Sequence, residues 1–150
     1  MINTSNWEYY NPNPISDFMS DISKRWYYSD CMVRCICKVT EKSWDDIYWI
    51  LCKIGFEVHD MPSSEKAEIR IMEKLGFEKK QLKLINNKLP ILSDIANKYK
   101  NTVVVCYSDE EKHVICCKNG KYYDSWDSGN LHINYIWVLK EKKITIENIL

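Results

Sequence analysis

Apolar positions along this chain recur with a helical period as far as Tyr99 and then change to strand-like runs. From Cys31 onward, Met32, Val33, Ile36 and Cys37 fall on one helical face behind Ser29 or Asp30, either of which can serve as N-cap. Ser43-Trp44-Asp45-Asp46 is a variant capping box with its acid three residues after the Ser. Ile47, Ile50, Leu51 and Ile54 follow at i, i+3, i+4 and i+7, so a second helix is expected from Ser43 to a terminating Gly55. A third is expected from Ser64 to Leu75, stopped by Gly76, and a short fourth from Leu92 to Tyr99 with Ser93 or Asp94 near its start. Roughly the first 25 residues carry no period, and Asn11-Pro12-Asn13-Pro14 reads as a turn or extended segment because each Pro disfavours helix in the residue before it.

Beyond Tyr99, the β-branched run Thr102–Tyr107 predicts a strand, Leu131–Leu139 a further one, and Ile144–Ile149 a last element. Lys112–Lys118 and Lys121–Trp126 flank Asn119-Gly120, the strongest short-range hairpin signal. Helices first and an antiparallel sheet second is an α+β order. With no repeat, low-complexity tract or linker, residues 1–150 are expected to form a single domain.

Composition narrows the function. Hydrophobic residues make up 45% and charged residues 28%, an ordinary globular balance. Lys+Arg and Asp+Glu stand at 21 each, so no bulk field favours nucleic acid or an anionic membrane. Met1–Asn13 has no basic start followed by an apolar run, and no stretch is apolar for long enough to span a bilayer, so a cytoplasmic protein is expected. Seven cysteines, an odd number without a targeting signal, favour free thiols over a disulfide framework, and the absence of any C-x-x-C pair argues against a metal site.

The hairpin carries a geometric deduction. With Asn119 and Gly120 as the loop, Lys118 faces Lys121, Cys117 faces Tyr122, Cys116 faces Tyr123 and Ile115 faces Asp124. His113 and Asp124 then share a face as diagonal neighbours, with Cα atoms about 7–8 Å apart, within reach of an imidazole–carboxylate contact. A histidine oriented by a carboxylate is what a general base requires. Cys31 is the cysteine expected at a helix start, where the dipole and free N–H groups favour thiolate and can stabilise an oxyanion. Cys35 and Cys37 lie deeper in that helix, Cys52 sits in the last turn of the next, and Cys106, Cys116 and Cys117 lie on strands. His132 is the rival base, without an acid two residues away on either side. His59, beside Asp60, reads as a surface residue, and Asp127 is an alternative partner for His113 only if the hairpin slips. Arg34 is read as a structural ion-pair partner, and Trp126 and Trp137 as lining either a groove or the core.

Asp30-Cys31-Met32-Val33-Arg34, then Thr40-Glu41-Lys42-Ser43-Trp44 and Tyr48, together with His113-Val114-Ile115 and Gly120-Lys121-Tyr122-Tyr123-Asp124-Ser125-Trp126-Asp127, resemble the papain-like cysteine peptidase superfamily. The likeness is to uncharacterised papain-like proteins of Firmicutes and their phages, in which Asn11-Pro12-Asn13-Pro14 also has a counterpart. The Cys, His, Asp order is similar to double-glycine leader peptidases, and Cys31-x-x-Arg34 to ovarian-tumour-type deubiquitinases. The resemblance is poorest over Phe77–Leu92. It implies a papain-like fold, with N-terminal helices on a C-terminal antiparallel sheet, and a cofactor-free thiol peptidase or isopeptidase with a Cys31, His113, Asp124 triad. Lys24–Ser29 contains no Gln or Asn to donate to an oxyanion, which leaves Ser29 or a backbone N–H, and Glu41 stands where such proteins have Gly. The expected partner is a protein or peptide substrate, with no nucleic acid and no membrane. The alternative expectation is an inactive scaffold of this type, a phage-encoded protein that blocks a host system by contact.

Overall fold

The computed structural model describes residues 5–15 and 29–140. Its elements run β1 (Trp7–Tyr9), α1 (Cys31–Thr40), α2 (Trp44–Val58), α3 (Glu65–Lys74), β2 (Phe77–Gln81), α4 (Leu92–Lys98), β3 (Val103–Ser108), β4 (His113–Lys118), β5 (Lys121–Asp124) and β6 (Tyr135–Leu139). The fold is α+β, with one six-stranded sheet in the order β1-β5-β4-β3-β6-β2.

The sheet is mixed, which corrects the expectation of an antiparallel one. β1 runs parallel to β5, pairing Trp7 with Tyr122 and Tyr9 with Asp124, while the other neighbours are antiparallel. The helices also do not all lie on one side. Val105, Val114, Cys116 and Trp137 pack with α1, α2 and α3. Their strand neighbours Val104, Cys106, Ile115, Cys117 and Ile136 point the other way, into a second core with Leu92, Ile95 and Ala96 of α4. Central strands buried on both faces explain the continuous apolar run at Val103–Cys106, which has no alternation to read.

Ser43 and Ser64 cap α2 and α3 as their sequences foretell, their Oγ atoms accepting from Asp46 N–H and Ala67 N–H, each at 3.2 Å. Gly55, however, does not end α2: the helix continues to Val58 and closes on His59, in the left-handed region at φ 56°. The glycine is there for space. A Cβ at Gly55 would stand 2.8 Å from Asp60 O and 3.1 Å from Pro62 N, where the chain folds back over the helix. The element expected at Ile144–Ile149 lies outside the described residues. Among the described residues no helix is long and apolar enough to cross a membrane.

Candidate active site

The β4–β5 hairpin forms in the register that Asn119-Gly120 dictates. Both turn residues have positive φ, 56° and 78°, and Lys118 pairs with Lys121, Cys117 with Tyr122 and Cys116 with Tyr123. His113, the first residue of β4, therefore reaches Asp124, the last of β5, and its Nε2 lies 2.6 Å from Asp124 Oδ2. Both side chains are buried. Asp124 is held on all sides. Its Oδ2 also accepts from Ser128 Oγ at 2.6 Å, and its Oδ1 accepts from Ser125 N–H at 2.8 Å. Its backbone carbonyl takes Tyr10 N–H at 2.9 Å and the Trp7 indole at 3.1 Å. The N-terminal strand thus fixes the acid's backbone while the loop after β5 fixes its carboxylate.

Cys31 is the first residue of α1 and packs against this pair. With Nε2 engaged by Asp124, the ring nitrogen left to serve the Cys31 thiol is Nδ1. Burial pushes the thiol up, but the His113 hydrogen bond and charge, Val114 N–H and the Arg34 guanidinium outweigh it, so its pKa is lowered. Burial likewise disfavours charge on His113, yet Asp124 and Cys31 raise it to about 9. Both shifts favour a thiolate–imidazolium pair at neutral pH.

The N-cap of α1 is Asp30, and its side chain makes no capping hydrogen bond. Its Oδ2 instead accepts from Asn13 Nδ2 at 3.0 Å and Trp44 Nε1 at 3.1 Å, and its Oδ1 lies 3.3 Å from Arg34 Nη1. A carboxylate bonded to first-turn N–H groups would occupy the place where a carbonyl oxygen, polarised by Cys31 attack, needs donors.

A cleft of about 640 Å³ opens over the thiol, lined by Ser29, Cys31, Glu68, His113, Trp126 and Tyr135 among others. Ser29 is exposed at its edge. Trp126 lies against His113, with ring centroids 5.2 Å apart, and so belongs to the groove, whereas Trp137 is buried in the core. His132, which has no acid two residues away on either side, has one from a remote position: its Nδ1 meets Glu110 on the surface, and neither residue lines the cleft. His59 is exposed, and Asp127 accepts from the Tyr122 hydroxyl and Gly129 N–H rather than serving His113. Cys35 and Cys117 are fully buried thiols pushed well up, the first mainly by burial, the second by its hydrogen bond to Cys106 and then by burial. Among the described residues no cluster of His, Cys, Asp or Glu is arranged to hold a metal ion.

The structure therefore brings Cys31, His113 and Asp124 together and adds Trp7 and Ser128, which had no sequence signal, and Asn13 and Ser125, which lie in the segments of the resemblance but had no role assigned. Asn13 reads only as part of a turn, and Ser128 reaches Asp124 through an irregular loop that no period describes. Comparison with protein-family models, curated proteins and solved structures yields no match to the chain, so the site is interpreted from its own geometry.

Proposed function

We propose that the chain is a papain-like cysteine hydrolase that cleaves a peptide or isopeptide bond. The observation that carries this reading is the buried His113–Asp124 hydrogen bond beside Cys31, whose thiol pKa His113 lowers, with the thiol at a helix start that no side chain caps. In the proposed reaction the Cys31 thiolate attacks the carbonyl carbon and forms the C–S bond. The developing oxyanion takes hydrogen bonds from the first N–H groups of α1, with Ser29 as a further candidate donor. The tetrahedral intermediate collapses, His113 Nδ1 gives its proton to the departing amine, and a thioester remains. His113 then takes a proton from water, which attacks the thioester. The C–S bond breaks, the carboxylic acid leaves and the cysteine is restored. Asp124 stays ionised throughout and holds the imidazolium.

The test is the labelling rate of each cysteine by iodoacetamide from about pH 5 to about pH 9 in the native protein and in His113→Ala. One fast cysteine, Cys31, that loses its advantage in the variant supports the reading. Slow labelling of Cys31 in both proteins rejects it.

A second reading, a binding protein on the same scaffold, is favoured by the outer face of α2. Trp49 is 69% exposed and Phe56 82%, beside a shallow groove with Cys52 and Ile50. Large apolar side chains grouped at the surface are characteristic of protein contacts. This face is separate from the cleft, so the two readings are tested independently: Trp49→Ala/Phe56→Ala should leave Cys31 labelling unchanged.

A further inference from the structure

Arg34 lies three residues after Cys31 on α1, with its side chain 11% exposed. Its Nη1 donates to Ser125 Oγ at 3.0 Å and lies 3.3 Å from Asp30 Oδ1, while Nη2 lies 3.7 Å from Asp124 Oδ1. We propose that Arg34 is a positioning residue of this site, clamping the start of the nucleophile's helix to the loop that carries the acid and balancing the two carboxylates that flank the Cys31–His113 pair. The inference rests on the hydrolase reading and deepens it.

Geometry supports the clamp. α1 and the end of β5 are about 90 residues apart in sequence (Arg34 and Ser125 are separated by 91 positions), and the guanidinium touches the residue before Cys31, the acid and the residue after the acid. A planar fork can make these contacts at once, whereas an ammonium cannot.

Charge supports the balance. Asp30 and Asp124 are both buried, and Asp30 Oδ1 has no aligned hydrogen-bond donor, so Arg34 is the cation that compensates it. With a thiolate and an imidazolium in place the cluster carries three negative and two positive charges; without Arg34 it carries three and one. Among the described residues the other charged groups facing the cleft do not replace it. α3 contributes Glu65 and Glu68, and the β3–β4 loop contributes Asp109, Glu111 and a lone cation, Lys112, which is exposed. Cys35, one turn below Cys31, is a neutral thiol held up by burial. Removing Arg34 therefore leaves Cys31 in a field of acids, which disfavours the thiolate.

The experiment is the pH profile of Cys31 alkylation by iodoacetamide in the full chain, for native protein, Arg34→Gln, Arg34→Lys, Ser125→Ala and His113→Ala. Arg34→Gln is expected to move the acid limb up by about one pH unit, a roughly tenfold slower reaction below the midpoint. Arg34→Lys is expected to restore most of that shift by restoring the charge, and Ser125→Ala to produce a smaller shift in the same direction by loosening the clamp. A merely structural arginine would lower thermal stability in both Arg34 variants and leave the midpoint where it is in the native protein. That result overturns the proposal, and if Arg34→Gln does not fold, an unmoved midpoint in Ser125→Ala overturns it instead. If His113→Ala leaves Cys31 labelling unchanged, the hydrolase reading fails and takes this inference with it. If His113→Ala slows labelling but Arg34→Gln does not shift the limb, only the role of Arg34 is lost.

Discussion

α2 opens on Ser43, whose hydroxyl caps Asp46 N–H, and α3 repeats the arrangement with Ser64 and Ala67; α1 opens on Asp30, an equally good capping residue, and turns that side chain away. At α2 and α3 the local rule is obeyed, and the cap contributes stability. At α1 it is broken, and the carboxylate is spent on Asn13, Trp44 and Arg34. α4, which opens on Ile91, has no side chain able to cap; α1 has one and does not use it, and α1 is the helix that begins with Cys31. A violated local rule at one of the three helices that open on a capping residue falls where the proposed hydrolase reading places its nucleophile.

The contrast can be broken by removing the residue at each start. Asp30→Ala should destabilise the fold by about 3 kcal/mol in urea denaturation, because it takes one of two carboxylates from the buried Arg34 guanidinium and an acceptor from the Asn13 amide and the Trp44 indole rather than deleting a cap. Next in size is the acid on the other side of the site. Asp124→Ala should slow Cys31 alkylation at neutral pH by about a hundredfold or more, the scale of a general base that loses its orientation.

A third expectation concerns pH. His113 is raised to about 9 from an ordinary 6.5, so between those values the native imidazole holds a proton that the unfolded one has lost. Alone, that contribution is full below pH 6.5 and is lost as pH rises through about 9. Cys31, with its pKa lowered, has the opposite sign: native thiolate against unfolded thiol, a contribution full above the unfolded value and lost as pH falls through the folded one. Where both are in force the native and unfolded states bind the same number of protons, and the two slopes cancel. Cys31→Ser should expose the histidine's contribution, and urea denaturation at a series of pH values should show stability falling by up to about 1.4 kcal/mol per pH unit from pH 6.5 upward, over a window that closes below 9 because Cys31 supplies part of the rise. The smallest effect belongs to the obedient helix. Ser43→Ala should cost about 1 kcal/mol and leave the labelling of Cys31 untouched.

The candidate site was more legible than the scaffold that supports it. Asn119-Gly120 fixes the hairpin register, and counting back from it puts His113 on the same face as Asp124, as its diagonal neighbour. β2 was invisible because it is an edge strand of sequence Phe-Glu-Lys-Lys-Gln in which only Phe77 is buried, so no alternation exists to read. β1 is three residues long and is defined by parallel pairing to a strand more than a hundred residues away. Gly55 looked like a stop signal because a glycine needed for close approach and one needed for positive φ are the same letter. Glu41 is the converse. It adopts the left-handed conformation at φ 55° that a glycine would take more easily, and its carboxylate pairs with Lys38 at 3.2 Å and Lys118 at 3.1 Å. Asp30 was legible as a cap position, but its side chain's true partners come from three other places in the chain.

The most direct test of the central claim is a titration of the Cys31 thiolate itself, taken as the difference in ultraviolet thiolate absorbance between native protein and Cys31→Ser, repeated in a His113→Ala background. The account predicts a thiolate that forms well below the ordinary ~8.5 of a free thiol and returns to or above that value without His113. A Cys31 that titrates like a free thiol in the native protein, or one whose titration ignores His113, would contradict it.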